Sequence, residues 1–239
     1  DRAAGEQLLA ASRVIASSHA LQSALSSGDE AGARALRDRV FADLGTPART
    51  VLDVALDAAW SSASELVAGV EELGIRAVAL SASDPGAVAR EVYAFGQLVA
   101  ENAELELALS GTRASADERA AVVERLLNGR ASAEAVAILT HLVRLPRGRR
   151  IGELVRVGSE LVADAAGKGL ATVLVASPLT DAQRASVASL VQSRYGREHL
   201  VVEQVDTGVI GGIRIQVGHE VIDGSIAARL TDLTLQLAR

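Results

Sequence analysis

The chain has 239 residues, of which 49% are hydrophobic and 23% charged, and its net charge is −6. This composition is typical of a folded globular protein of one or two domains, not of a disordered chain. The absence of cysteine excludes disulfides, thiolate catalysis and thiolate metal ligands. No apolar run reaches the roughly 18 residues of a membrane span, and no basic tract is long enough to follow a phosphate backbone. We therefore expect neither a membrane-spanning nor a nucleic-acid-binding protein.

Methionine is absent from the sequence, even at position 1. We therefore expect that Asp1 is not the translated start and that an upstream segment was removed or is fused elsewhere. The N-terminus shows no basic region followed by an apolar core, so no secretion signal is predicted.

Residues 1 to about 165 are rich in Ala, Leu, Arg and Glu and poor in aromatic residues, which predicts a succession of helices. Ser115-Ala-Asp-Glu118 has the spacing of a capping box, in which the serine oxygen and the glutamate carboxylate satisfy backbone N–H groups reciprocally. It predicts a helix to about Leu127. Asp84-Pro85 has the pattern of an N-cap with proline at the first helical position, and predicts another helix to about Leu109.

Two stretches of this helical region resemble each other. Residues 8–73 match residues 92–161 with an offset that drifts from 84 to 88. The matches keep their order along the chain: Leu21–Ser26 with Leu105–Ser110, and Glu65–Val67 with Glu153–Val155. Two Ala- and Leu-rich helical stretches can also resemble each other by composition alone, and that alternative stays open. The ordered series favours a duplicated helical unit whose apolar stripes are buried between copies or against a neighbour.

About the last 70 residues have a different character. Ala171–Ala176 is a short β-branched run closed by Ser177-Pro178, which predicts a strand and its end. Thr180-Asp-Ala-Gln183 repeats the capping-box spacing and predicts a helix to about Tyr195, ended by Gly196.

Three more strands and a last helix are predicted after this point. We expect strands at Leu200–Val205, Ile213–Val217 and Val221–Ile222, where apolar residues alternate or run together between glycines. A final helix over 225–237 would place four apolar side chains on one stripe: Ile226, Leu230, Leu233 and Leu237.

These patterns predict a mainly α fold, with an N-terminal multi-helix bundle followed by a small C-terminal α/β domain. We expect residues 1–83 to form a first helical repeat and residues 84–166 a second repeat, packed with the first as a helical bundle. Residues 170–239 would form the α/β domain, which is too small to hold a large active-site cleft comfortably.

Side chains suited to catalysis or ligand binding are sparse. The single lysine, Lys168, lies between two glycines but lacks the other features of a phosphate-binding loop, so we interpret it as part of a helix stop and linker. The histidines show no i, i+4 pairing, and no metal site is predicted: His19, His141, His199 and His219. His141 lies in an apolar helix, where a structural role is the commoner one. No cofactor or catalytic residue is predicted.

The densest basic stretch is Arg144–Arg150, with the sequence RLPRGRR. It contains Pro146 and Gly148, which break helices. We interpret it as a solvated loop between two helices.

The segment over 205–225 (VDTGVIGGIRIQVGHEVIDGS) resembles the C-terminal signature of the ATP synthase delta family, which includes the mitochondrial oligomycin-sensitivity-conferring protein. That signature has an aspartate, an apolar residue before a double glycine, a strand ending in glycine, and an Ile-Asp-Gly-Ser turn into a helix with arginine. The residues that match it are Asp206, Ile210, Gly211, Gly212, Gly218, Asp223, Gly224, Ser225 and Arg229. His219 departs from the acidic residue common after that glycine. The resemblance covers about residues 90–239, and we interpret the first 80 or so as the extra repeat copy of extended members.

The resemblance implies a non-catalytic stator of the proton-translocating F-type ATP synthase, a peripheral-stalk subunit that links the catalytic head to the b-subunit stalk and resists rotor torque. Its helical domain would bind N-terminal segments of the alpha subunits by helix-in-groove packing. Its C-terminal domain would bind the distal end of the b stalk, and an upstream fusion to a b-type chain is a further expectation. Such a subunit has no cofactor and sits on the cytoplasmic face of the bacterial plasma membrane only through the complex.

The signature residues have two possible roles. Glycines supply turn dihedrals that side chains hinder, and Asp223 and Ser225 can cap the last helix, so we expect them mainly to build the fold. Direct contact with a partner is the alternative.

Two other classes of function stay open. One is a free-standing helical adaptor that binds amphipathic peptides, against which only the C-terminal signature argues strongly. The other is a small enzyme whose carboxylates converge in the fold, which an apolar pocket with perturbed carboxylates would favour.

Overall fold

The computed structural model describes residues 1–26, 30–111, 114–206 and 211–224. Within them, ten helices come first: α1 (Arg2–Ser17), α2 (His19–Ser26), α3 (Glu30–Val40), α4 (Thr46–Asp57), α5 (Ala63–Ala79), α6 (Pro85–Ala100), α7 (Ala103–Ser110), α8 (Ala116–Leu127), α9 (Ala133–Arg144) and α10 (Ile151–Ala165). The rest is β1 (Gly169–Val175), α11 (Asp181–Tyr195), β2 (His199–Val205), β3 (Ile213–Val217) and β4 (Glu220–Asp223). The predicted fold class, a helical region followed by a small α/β domain, is confirmed.

Side-chain caps set the starts of the predicted helices. At α8, the Ser115 hydroxyl accepts from the Glu118 N–H at 3.2 Å, and the Glu118 carboxylate accepts from the Ser115 N–H at 2.7 Å. Thr180 and Gln183 form the same reciprocal pair at α11. Gly196 ends that helix with φ 69°, as predicted from its position.

One predicted helix is two helices in the structure. The helix expected from Pro85 to about Leu109 ends at Ala100, and α7 begins at Ala103. Asn102 causes the restart, because its side-chain oxygen accepts from the Leu105 N–H at 3.1 Å and so caps a new helix.

The ten N-terminal helices form two halves of five, α1–α5 and α6–α10. The first half has helices of 16, 8, 11, 12 and 17 residues, and the second has helices of 16, 8, 12, 12 and 15. In each half the first helix packs mainly against the fifth. The start of α5 lies in the core of the first half and its end in the core of the second, so the halves share α5. The duplication and the domain boundaries drawn from the sequence stay predictions.

The four strands form a mixed sheet in the order β2-β1-β3-β4, in which β1 and β2 are parallel and the other pairs antiparallel. Helix α11 covers one face through Val187 and Val191. On the other face, Leu170, Leu200 and Val202 join the core that contains α6 and α10. This shared core fixes the α/β domain against the second helical half.

Candidate functional site

A cluster of charged side chains lies buried where α1, α5 and α9 meet. Glu71 of α5 is 3% exposed. Its carboxylate accepts from Arg147 at 2.5 Å and from Arg149 at 3.1 Å, and lies 3.2 Å from Nε2 of His141. Nδ1 of His141 lies 2.7 Å from a guanidinium nitrogen of Arg13. Because these residues come from both halves and from the α9–α10 loop, the cluster ties the halves together.

The protonation of this cluster follows from its burial and charges. Burial alone would raise the pKa of Glu71, but its hydrogen bond with His141 and the charges of Arg147 and Arg149 outweigh burial and hold that pKa below its usual range. Burial lowers the pKa of His141 despite its contact with Glu71. The carboxylate is therefore ionised and the imidazole neutral near pH 7.

The cluster is structural, and it corrects one interpretation of the sequence. His141 is 1% exposed, so no substrate can reach it, in keeping with the role expected for it. The Arg144–Arg150 loop is not simply solvated, because Arg147 and Arg149 turn inward to Glu71. A glutamate inside the apolar run of α5 was the one sequence signal for this pairing.

A long groove runs along α1, between it and helices α8 and α9. Its main cavity has a volume of about 770 Å³ and is lined by residues of all three helices. A second cavity of about 390 Å³ continues it, since Arg13 and Arg144 line both. Leu9, Val136 and Ala137 give the main cavity apolar lining. At about 1.5 Å per residue, α1 makes this groove roughly 24 Å long, which suits a partner helix of about four turns.

The charges along the groove are unevenly neutralised. Arg144 lies 3.2 Å from Asp117 and 3.9 Å from Glu124. Arg13 faces the neutral His141 instead of a carboxylate, and burial together with the nearby charge of Arg144 lowers its pKa. Arg125 makes no ion pair with any residue of the described ranges. The groove therefore suits a helix that carries carboxylates beside its apolar stripe.

Most of the described signature residues lie at one end of the sheet. The Asp206 N–H, just after β2, donates to the carbonyl of Val175 at 2.8 Å, and the Gly224 N–H donates to the carbonyl of Ile213 at 2.9 Å. Asp223 accepts from the Arg214 guanidinium at 2.9 Å. These bonds join the end of β2 to the end of β1, and the end of β4 to the start of β3.

Three of the four described signature glycines adopt backbone conformations that other residues rarely take, whereas Gly224 does not. Gly211 and Gly212, which precede β3, have φ 66° and 81°, and Gly218 has φ 58° in the turn between β3 and β4. Gly218 is thus at the opposite end of the sheet from the others. These geometries favour a fold-building role. Ile210, Ser225, Arg229 and the predicted helix over 225–237 lie outside the described residues.

The described ranges contain neither a metal-binding cluster nor a membrane-spanning helix. No three histidine, aspartate or glutamate side chains there come close enough together to hold a metal ion. No helix in those ranges is both long enough and apolar enough to cross a membrane. The described residues therefore form a helical scaffold with an open groove and a small α/β domain.

Comparison with known proteins gives the family. A model of the ATP synthase delta (OSCP) subunit family matches residues 75–237. The protein named ATP synthase subunit delta in Leifsonia xyli subsp. xyli is 42% identical over 240 residues, which cover 100% of this chain and 91% of the relative. The protein of the same name in Acidothermus cellulolyticus is 36% identical over 241 residues, covering 98% and 88%. The chain belongs to the ATP synthase delta (OSCP) family, and the resemblance drawn from the signature is confirmed.

The two relatives also share the N-terminal residues that lie before the family model. The family model begins within α5, whereas these relatives match the chain along almost its whole length. A chain in the cryo-EM structure of the Toxoplasma gondii mitochondrial ATP synthase hexamer is 20% identical, with a TM-score of 0.42, over 72% of this chain and 97% of that one. Family membership makes the chain a non-catalytic, peripheral-stalk subunit of F-type ATP synthase.

Proposed function

We propose that the chain holds the catalytic head of F-type ATP synthase to the b-subunit stalk and resists the torque of the rotor. The observation that carries the proposal is the family match over residues 75–237. Such a protein works through affinity and stiffness, and the shared core between the sheet and the second helical half supplies a stiff connection between its two binding regions.

On the head side, we infer that the helical region binds N-terminal helical segments of the alpha subunits in the groove along α1. The groove has the length of α1 and a mixed lining in which Leu9, Val136 and Ala137 are apolar, and Arg13 and Arg125 lack carboxylate partners within the described ranges. An amphipathic segment with acidic residues beside its apolar stripe fits both features.

On the stalk side, we infer that the α/β domain binds the C-terminal end of the b subunit. The domain lies against the second half through Leu170, Leu200 and Val202, near the starts of β1 and β2, so the helical region and the α/β domain can each bind a different partner. The complex would hold the chain at the cytoplasmic face of the bacterial plasma membrane.

Calorimetric titration into a catalytic head stripped of its own delta tests the head contact. We expect tight binding of one chain per head, lost when the head lacks the alpha N-terminal segments. Arg125→Glu should weaken binding by about tenfold, because it reverses an unpaired charge at the groove. Arg39→Glu, at an exposed position of α3 outside the groove that also has no ion pair within the described ranges, is the matched control. If a folded chain binds neither head, the head contact is wrong and a free-standing adaptor becomes the better hypothesis.

A further inference from the structure

Helices α4 and α9 occupy equivalent places in the two helical halves and bury the same face. Positions 87 apart correspond, and the three matched pairs on this face are all buried: Ala48 with Ala135, Leu52 with Leu139, and Ala55 with Leu142. The agreement fixes the register in which the two helices can be compared.

The adjacent face is buried on α9 and exposed on α4. Ile138 and His141 of α9 are 0% and 1% exposed, because α5 and α1 pack over them. The matched residues of α4 are Val51 and Val54, which are 37% and 69% exposed. Among the described residues, α4 has no helix over the face that α5 and α1 cover on α9.

The exposed face of α4 is an apolar stripe. Pro47, Val51 and Val54 are exposed and recur at helical spacing, so they form one line along α4, and the exposed Ala58 follows at its C-cap. Eleven residues at about 1.5 Å each separate Pro47 from Ala58 by roughly 17 Å. We call these four residues the α4 stripe.

The comparison with α9 indicates what kind of helix could pack on the α4 stripe. On α9, the covering helix α5 presents Glu71 to His141. The α4 stripe has Val54 at the position of His141, and a carboxylate buried against it would lack any partner. A helix that covers the α4 stripe must therefore present an uninterrupted apolar face there.

We propose that the α4 stripe is a second helix-docking position, which binds an amphipathic helix of the catalytic head through an uninterrupted apolar face. This inference rests on the proposed function, since it takes the head as the source of the helix. A second copy of the chain fits less well, because a stripe roughly 17 Å long and one helix wide offers far less than the roughly 800 Å² per partner of a stable dimer.

The test compares two exposed apolar-to-acid substitutions by titration into the stripped head. Val54→Glu places a charge at the centre of the α4 stripe, and Leu107→Glu places one on α7, where the side chain is 72% exposed. We expect Val54→Glu to weaken binding at least about tenfold and Leu107→Glu to leave it unchanged. Both variants should unfold at the wild-type urea concentration, because neither residue is buried.

The outcomes separate this inference from the proposed function. If wild type and both variants bind the head equally, the docking position on α4 is wrong while the head contact stands. If none of them binds, both proposals fail. A photo-crosslinking residue at position 54 gives an independent result: we expect a crosslink to an amphipathic segment of the head, and a crosslink to a polar, non-helical segment would contradict the inference.

Discussion

The two helical halves follow the same plan but differ in what covers them. The second half is enclosed by α1 and α5 on one side and by the sheet on another, through Leu170 and Leu200. The first half leaves Val54 of α4 exposed where the second half buries His141. The positions that face inward therefore build both halves alike, whereas the positions that face outward decide what each half can bind.

The halves also differ in the chemistry of their junction. Glu71 and His141 place a charged cluster at the centre of the contact between them. Buried ion pairs add little net stability compared with apolar packing, but breaking one leaves a charge without a partner. The cluster therefore favours one arrangement of the halves over others, because a shifted contact would leave Glu71 unpaired.

The largest expected effect comes from truncating core side chains at matched positions of the two halves. Leu52→Ala and Leu139→Ala each empty a fully buried site at the same position of α4 and α9. We expect each to lower the free energy of unfolding by about 3 kcal/mol. Leu52→Ala should be the milder, because α4 has an uncovered face and can move into the cavity. Guanidinium denaturation with linear extrapolation measures both.

Leu107→Ala is the control for this pair, since that side chain is exposed and its loss should change stability by under about 0.5 kcal/mol. Because α5 contributes to both cores, we expect one unfolding transition for each variant. Two separate transitions would contradict the sharing of α5 between the two cores, and a larger loss from Leu52→Ala would contradict the relief expected from the uncovered face of α4.

A smaller effect is expected from acidification, which acts on the buried cluster at the junction through His141 and Glu71. The folded state holds the pKa of His141 below its usual value, so the unfolded chain takes up a proton first as pH falls below about 6.5. Stability should therefore fall between pH 7 and 5, by at most about 1.4 kcal/mol per pH unit. The lowered pKa of Glu71 adds a further loss once pH drops below about 4.3, where the unfolded carboxyl protonates.

Urea midpoints at pH 7, 6 and 5 measure this slope. His141→Gln should make the urea midpoint nearly independent of pH between 7 and 5, because glutamine keeps hydrogen-bonding groups at this position but does not titrate. His19→Gln, at an exposed position of the first half, should leave it unchanged. An unaltered slope in His141→Gln would assign the pH dependence to other groups.

Much of the fold could be predicted from the sequence because its signals are local. Caps at Ser115 and Thr180 act within three residues, and period-two runs define the strands. The junction could not be predicted in the same way, since Glu71 pairs with arginines 76 and 78 residues away. The groove likewise depends on how α1 lies beside α8 and α9. The C-terminal signature identified the family, whereas its glycines mark turns and do not by themselves locate a partner.

The smallest expected effect concerns the starts of α5 and α10, which are matched helices with different caps. The Ser62 hydroxyl accepts from the Glu65 N–H at the start of α5, whereas Arg150 at the start of α10 makes no side-chain cap. Ser62→Ala should cost about 1 kcal/mol, and Arg150→Ser should add up to about 1 kcal/mol, because its backbone already has the extended conformation that a capping serine needs. Thermal unfolding of the two variants and their double mutant measures both, and the effects should add because the sites share no partner. If Arg150→Ser is instead less stable than wild type, the arginine side chain itself stabilises the start of α10, and the two matched helices begin by different means.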